Sequence, residues 1–130
     1  AHFIVSPCIV EGLADLCREA GVPCILAGLS PTEILAAWKQ GSSAVKVFPA
    51  RAVGGPDYIR SVRAVYPFIP LVPTGGVNLE NVGDYLRAGA AFVGAGSDLV
   101  SDHMLREDPD AVVELGRKYL QAVSEYRKDG

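Results

Sequence analysis

A chain of 130 residues is long enough for one domain with a real core, and about half the ~250 residues of a complete eight-stranded α/β barrel. Hydrophobic residues make up 49%, and 12 basic against 15 acidic side chains leave a net charge of −3 with the basic residues scattered, which excludes a nucleic-acid patch and a polybasic membrane anchor. No apolar run approaches the ~18 residues of a membrane span, and no basic start precedes a signal-like apolar core.

The chain opens on Ala1-His2-Phe3-Ile4-Val5-Ser6, strand-like from its first residue, with no methionine and no lead-in, which reads as a fragment whose domain begins earlier. Five apolar strand candidates follow one another: Phe3 to Ser6, Pro23 to Ala27, Ala44 to Phe48, Leu71 to Thr74 and Ala91 to Ala95. Their starts are 20, 21, 27 and 20 residues apart, and each is followed by a helical pattern. That is the rhythm of repeated βα units and a parallel sheet, an α/β fold in a single domain spanning residues 1–130.

The first helix, Glu11 to Ala20, sets Leu13, Leu16 and Cys17 on one side and stops at Gly21. Ser30-Pro31-Thr32-Glu33 is a capping box with proline at the first helical position, followed by the stripe Ile34, Leu35 and Trp38 and the stop Gly41. Gly54-Gly55-Pro56-Asp57 opens a third helix with Tyr58, Ile59, Val62 and Val65 as its apolar positions. Asn78 caps a fourth carrying Val82, Tyr85 and Leu86, closed by Gly89. Asp108-Pro109 starts a long amphipathic helix through roughly Lys128, with Val112, Leu115, Tyr119, Leu120, Val123 and Tyr126 as its buried side. Cys8, Cys17 and Cys24 form no CxxC pair and the two histidines lie far apart, so free buried thiols in a reducing cytoplasm are expected, with no disulfide and no metal site.

Two places carry chemistry. In Ala44-Val45-Lys46-Val47-Phe48-Pro49, alternation puts Lys46 on the same side as Ala44 and Phe48, in a strand whose composition suits burial on both faces. An ammonium in an apolar site loses hydration, and the neutral amine becomes a nucleophile toward carbonyl compounds; the other reading is a packed stem with its head in water. Pro73-Thr74-Gly75-Gly76 and Gly94-Ala95-Gly96-Ser97 are glycine-rich exits from the last two strand candidates. Each alone is an ordinary strand-to-helix turn; as a pair they match the phosphate cradle of an α/β barrel, where backbone amides surround the anion. Arg51, in the loop after the lysine strand, either reaches an anionic substrate or stands solvated.

The ordered set Ile4-Val5-Ser6-Pro7, Ala27-Gly28, Ser30-Pro31-Thr32-Glu33, Val45-Lys46-Val47-Phe48-Pro49-Ala50, Pro73-Thr74-Gly75-Gly76-Val77-Asn78 and Gly96-Ser97 resembles the class I aldolases of 2-keto-3-deoxy-6-phosphogluconate (KDPG), with their 4-hydroxy-2-oxoglutarate and phosphogalactonate relatives. The resemblance runs to about Ser101. It implies a (β/α)8 TIM barrel present in part, as strands four to eight with their helices, the N-terminal βα units being missing. It also implies an aldehyde-lyase that uses a covalent lysine imine and neither metal nor other cofactor, cleaving a keto acid to pyruvate and an aldehyde in Entner–Doudoroff-type sugar-acid metabolism. Lys46 matches the Schiff-base lysine, Phe48 and Pro49 the residues walling the substrate, and Thr74 a hydroxyl beside the pyruvyl unit. Gly75, Gly76, Gly96 and Ser97 match the phosphate-binding positions. The family's proton-transferring glutamate, its carboxylate-holding arginine and a threonine belong to the missing strands, so the 130-residue chain is expected to show little turnover. Asp98 stands where many members have tryptophan, and a carboxylate facing inward would repel a phosphate dianion.

Two other functions remain open on sequence. One is another phosphate-binding barrel, an epimerase or isomerase, which needs no lysine within the strand. The other is a non-catalytic half-barrel whose unpaired sheet edges recruit a partner. The partners implied are a small keto acid and further copies of the chain, a trimer in the intact family; nucleic acid and membrane are not.

Overall fold

The computed structural model describes residues 1–129, with the side chains of the last helix followed through Tyr126. Four strands, β1 (Ile4–Val5), β2 (Cys24–Ala27), β3 (Ala44–Val47) and β4 (Leu71–Pro73), form one parallel sheet in the order β1-β2-β3-β4. Helices α1 (Leu13–Glu19), α2 (Pro31–Lys39) and α3 (Gly55–Val65) fill the three crossovers, and α4 (Val82–Arg87), α5 (Asp102–Glu107) and α6 (Pro109–Asp129) follow the sheet. This is an α/β protein built from successive βα units.

The pairing register fixes which side chains share a face. Cys24, Leu26, Val45 and Leu71 are linked through Leu26 opposite Val45 and Val45 opposite Leu71, with Val47 opposite Pro73. All of them are buried, and against this face pack Ala14 and Cys17 of α1, Ile34 and Ala37 of α2, Ile59 and Val62 of α3, and Val82 and Tyr85 of α4. The other face holds Val5 opposite Ile25, Ile25 opposite Ala44, and Ala27, Lys46 and Val72 in one row. Ala27, Ala44 and Val72 are buried there but lie outside the helix-packed core, while Val5 is 44% exposed and Ile25 and Lys46 are half-buried. The expectation that β3 is enclosed on both faces therefore holds for only one of them.

Local chemistry explains most element ends. Ser30 caps α2 as a full capping box: its hydroxyl accepts from the Glu33 amide at 3.3 Å and Glu33 accepts from the Ser30 amide at 2.7 Å. Asn78 caps the turn before α4 rather than the helix itself. Its side-chain oxygen accepts from the Glu80 and Asn81 amides, Asn81 returns the bond to the Asn78 amide, and the helix starts at Val82. The short helix α5, absent from the sequence reading, is capped by Ser101, which accepts from the Met104 amide. None of its residues is buried, so it carries no apolar period to detect.

Other expectations change. The stretch Ala91 to Ala95 is not a strand. The Ala91 amide donates to Leu71 and the Gly94 amide to Pro73, so three steps on one side face two on the other, and the pairing reduces to a single parallel bridge, Thr74 to Gly94. Leu16 and Val65 are each 64% exposed, and Leu120 is 73% exposed. On α6 the buried stripe is centred on Tyr119, and Leu120 lies ~100° further round. Cys8 is exposed at the mouth of β1, whereas Cys17 and Cys24 are buried neighbours. Burial, then a hydrogen bond from Cys17, pushes the Cys24 thiol up. Among the described residues, no helix is long and apolar enough to cross a membrane.

Candidate active site

Lys46 projects from the middle of the sheet's uncovered face, between Ala27 and Val72. Its Nζ stands 4.8 Å from the centroid of the Phe48 ring, two residues on along the same side, in cation–π range. Phe48 itself is 42% exposed, so it forms a wall with an open outer side. Among the described residues no carboxylate pairs with Lys46.

After Phe48 and Pro49 the chain makes a 3-10 turn, Ala50–Val53, stitched to the neighbouring exit loop. The Thr74 amide donates to Val47, the Ala50 amide to Thr74 and the Arg51 amide to Gly75. Thr74 lies two residues past Val72, on the face of Lys46, and is half-buried. Its bridge partner Gly94 has to be glycine: a Cβ there would sit 2.3 Å from the Thr74 hydroxyl oxygen. Gly75 and Gly76 have φ of 88° and 78°, and a Cβ on Gly75 would press on Phe48 and Pro49 at 3.2 Å.

This loop is held from behind by two residues that sequence reading missed as site parts. The Asn81 side-chain amide donates to the Gly76 carbonyl at 2.8 Å, and the buried Tyr119 hydroxyl donates to the Val77 carbonyl at 3.4 Å. Burial, and then the nearby Asp98 carboxylate, raises the Tyr119 hydroxyl's pKa. With the carbonyls engaged, the amides remain. Among the described residues the amides of Gly75, Gly76 and Val77 donate to no protein acceptor, and neither do those of Ala95, Gly96 and Ser97. The Thr74 to Gly94 bridge sets the two glycine-rich exits side by side. Gly96 and Ser97 are exposed, on a turn closed by the Leu99 and Val100 amides donating to the Gly96 carbonyl. Unpaired amides on adjacent loops are the backbone chemistry of an anion site.

The structure therefore brings Lys46, Phe48, Pro49, Thr74, Gly75 and Gly76 to one end of one face, with Gly96 and Ser97 on the adjoining loop. Among the described residues no three His, Cys, Asp or Glu side chains converge as a metal-holding group would require.

A lysine on the uncovered face of a parallel βα sheet, with amide-bearing glycine loops at the strand exits, marks the chain as an α/β protein of successive βα units. The chain belongs to the KDPG and KHG aldolase family, which matches residues 1–115. It is 31% identical over 129 residues to the 2-dehydro-3-deoxy-phosphogluconate aldolase of Pseudomonas aeruginosa, covering 98% of this chain and 59% of that protein. Among solved structures it is similar to one described as native KDPGal, with a TM-score of 0.89 and 28% identity over 98% of this chain and 61% of the other. It is also similar to the KDPG aldolase of Legionella pneumophila, captured with pyruvate as a covalent carbinolamine, with a TM-score of 0.77 and 29% identity over 88% and 56% of the two chains. The chain spans about three fifths of the length of these relatives.

Proposed function

We propose that this chain is the lysine-bearing part of a class I aldolase, strands four to eight of a (β/α)8 barrel, that cleaves a 2-keto-3-deoxy (phospho)sugar acid such as KDPG, or 4-hydroxy-2-oxoglutarate, to pyruvate and an aldehyde. The observation that carries this reading is Lys46 on the uncovered sheet face beside Val72, two residues before Thr74, in a chain that matches the aldolase family over residues 1–115. That face would become the barrel lumen once further βα units close the sheet.

In this reading the neutral Lys46 amine attacks the ketone carbon of the substrate to give a carbinolamine, which loses water to become an iminium. The iminium accepts the electron pair of the C3–C4 bond as it breaks, leaving an enamine and releasing the aldehyde. Protonation of the enamine at C3 and hydrolysis of the imine free pyruvate and restore the amine. Phe48 and Pro49 wall the pyruvyl unit and Thr74 donates a hydrogen bond to it. The amides of Gly75, Gly76 and Gly96, with the Ser97 hydroxyl, hold the phosphate. Proton transfer needs an acid/base group. By the family resemblance, that group is a glutamate on the second strand of the barrel. The imine needs no metal or other cofactor.

The test is borohydride reduction in the presence of pyruvate, read by mass spectrometry of the peptide carrying residue 46. A reduced adduct on Lys46, absent from Lys46→Met, is the expected result. An unmodified wild-type peptide would overturn the reading and favour a phosphate-binding epimerase or isomerase, which forms no imine.

A second reading concerns assembly. The edge strand β1 carries Val5 at 44% and is preceded by Phe3 at 59% exposure. A bare edge with apolar neighbours pairs readily with another chain. Self-association, as a trimer in the whole enzyme, follows, and a monomer by light scattering at high concentration would count against it.

A further inference from the structure

Arg51 differs from most of the described arginines, since only its side chain and that of Arg106 lack a partner among the described residues. Arg18, Arg60, Arg87 and Arg117 each hold a carboxylate three residues earlier, and Arg63 donates to the Pro67 and Ile69 carbonyls. Arg51 has Phe48 three residues before it and Gly54 three after, and among the described residues it has no acidic partner. Its side chain is nonetheless seated. A Cβ added to Gly76 would meet the Arg51 Cβ at 2.6 Å and its Cδ at 2.7 Å, so the arginine stem lies directly on that glycine. Its amide is bonded to the Gly75 carbonyl. The guanidinium lies close enough to the buried Tyr85 hydroxyl to pull its pKa down, against the larger upward push of burial.

The glycine loop under Arg51 carries the unpaired amides. We propose that Arg51 is a specificity-determining residue of this site, selecting substrates whose far end is a phosphate monoester by adding one cation to the Gly75-Gly76 amides. This deepens the aldolase reading and rests on it.

The experiment titrates the full 130-residue chain with glycerol 3-phosphate, and in a second arm with glycerate, following the Gly75 and Gly76 amides by NMR. Glycerol 3-phosphate shifts both amides saturably in the wild type. Arg51→Gln weakens binding about fivefold, as loss of one exposed ion pair allows. Arg51→Lys recovers most of that loss, Arg117→Gln changes nothing, and the wild-type advantage shrinks as ionic strength rises. Glycerate shows a smaller dependence on Arg51. Equal affinity in wild type and Arg51→Gln, or no saturable shift in the wild type, overturns the proposal. An equal Arg51-dependent loss for glycerate overturns the choice of phosphate. Pyruvate trapping on Lys46 is measured in the wild type and in Arg117→Gln and is the same in both. Failure of trapping in the wild type therefore sinks the aldolase reading, whereas intact trapping with indifferent anion binding sinks only the role of Arg51. Matching urea midpoints for Arg51→Gln and wild type show that the variant is folded.

Discussion

The two faces of the sheet are built from the same strands and differ in almost everything else. On one, Cys24, Leu26, Val45, Val47 and Leu71 are buried under helices α1 to α4. On the other, Ile25 and Lys46 stand half-covered while Ala27, Ala44 and Val72 are buried outside the helix-packed core. Because side chains alternate, neither face can be changed without shifting the register of the other. The covered face supplies the burial that holds Lys46 in place, at roughly 25 cal/mol per Å² of apolar surface. The uncovered face buries only Ala27, Ala44 and Val72 and leaves Lys46 half-buried between two of them.

This division is open to a crossed test, whose largest effects come first. Lys46→Met removes the whole borohydride-trapped adduct and shifts the urea midpoint little, since its partly exposed head makes no ion pair among the described residues. Leu71→Ala, on a fully buried side chain one position before Val72, does the reverse. It costs about 2–5 kcal/mol by urea unfolding, while the folded fraction still traps pyruvate. If Leu71→Ala abolished trapping in the folded fraction, the two faces would not be separable.

Gly94→Ala probes the seam between the faces. The added Cβ would lie 2.3 Å from the Thr74 hydroxyl oxygen and 3.0 Å from its methyl, so Thr74 or the loop has to move. A loss of about 1–3 kcal/mol is expected from overpacking. Aldol cleavage by the whole enzyme should fall by more than that stability loss explains, because the displaced hydroxyl is the one assigned to the pyruvyl unit. Pairing Gly94→Ala with Thr74→Ala, which removes both the hydroxyl and the methyl that the added Cβ meets, should restore part of the stability.

How much of this could be read from sequence depended on which force shapes each part. β2, β3 and β4 fall within a residue of their expected limits, because continuous apolar runs leave few other arrangements. The stretch after α4 failed because its pairing has an extra residue, set by the fit of Gly94 against Thr74, and no local pattern records such a contact. Leu120 failed because α6 buries a narrow stripe around Tyr119 and leaves the next position outside. In the site, Lys46, Thr74 and the glycines were visible as residue types at particular spacings. That the lysine face is the uncovered one follows only from the register. The support of the glycine loop spans 42 positions from Tyr119 to Val77, and the seating of Arg51 on Gly76 crosses two loops. Contacts of that range leave no trace in a single sequence.

The smallest effect expected belongs to the covered side, at the turn from β2 into α2. Glu33 accepts hydrogen bonds from the Leu29 amide at 3.0 Å, the Ser30 amide at 2.7 Å and the Ser30 hydroxyl at 2.9 Å. The Ser30 amide, then the Ser30 hydroxyl and the Leu29 amide, hold its carboxyl below the usual range. A carboxyl whose folded pKa is depressed is bound more tightly as the anion in the folded state. Its contribution is therefore complete above the ordinary glutamate pKa and is lost as pH falls through the lowered value. The urea midpoint of Glu33→Gln should thus trail that of the wild type at neutral pH, and the gap should close under acid. Ser30→Ala, which removes the reciprocal cap, should cost about 1 kcal/mol. Neither change should alter pyruvate trapping, since both lie on the helix side of the sheet. A gap for Glu33→Gln that widened as pH fell would mean the carboxyl is not held as an anion. A loss of trapping in either variant would join the helix caps to the chemistry and undo the division between the two faces.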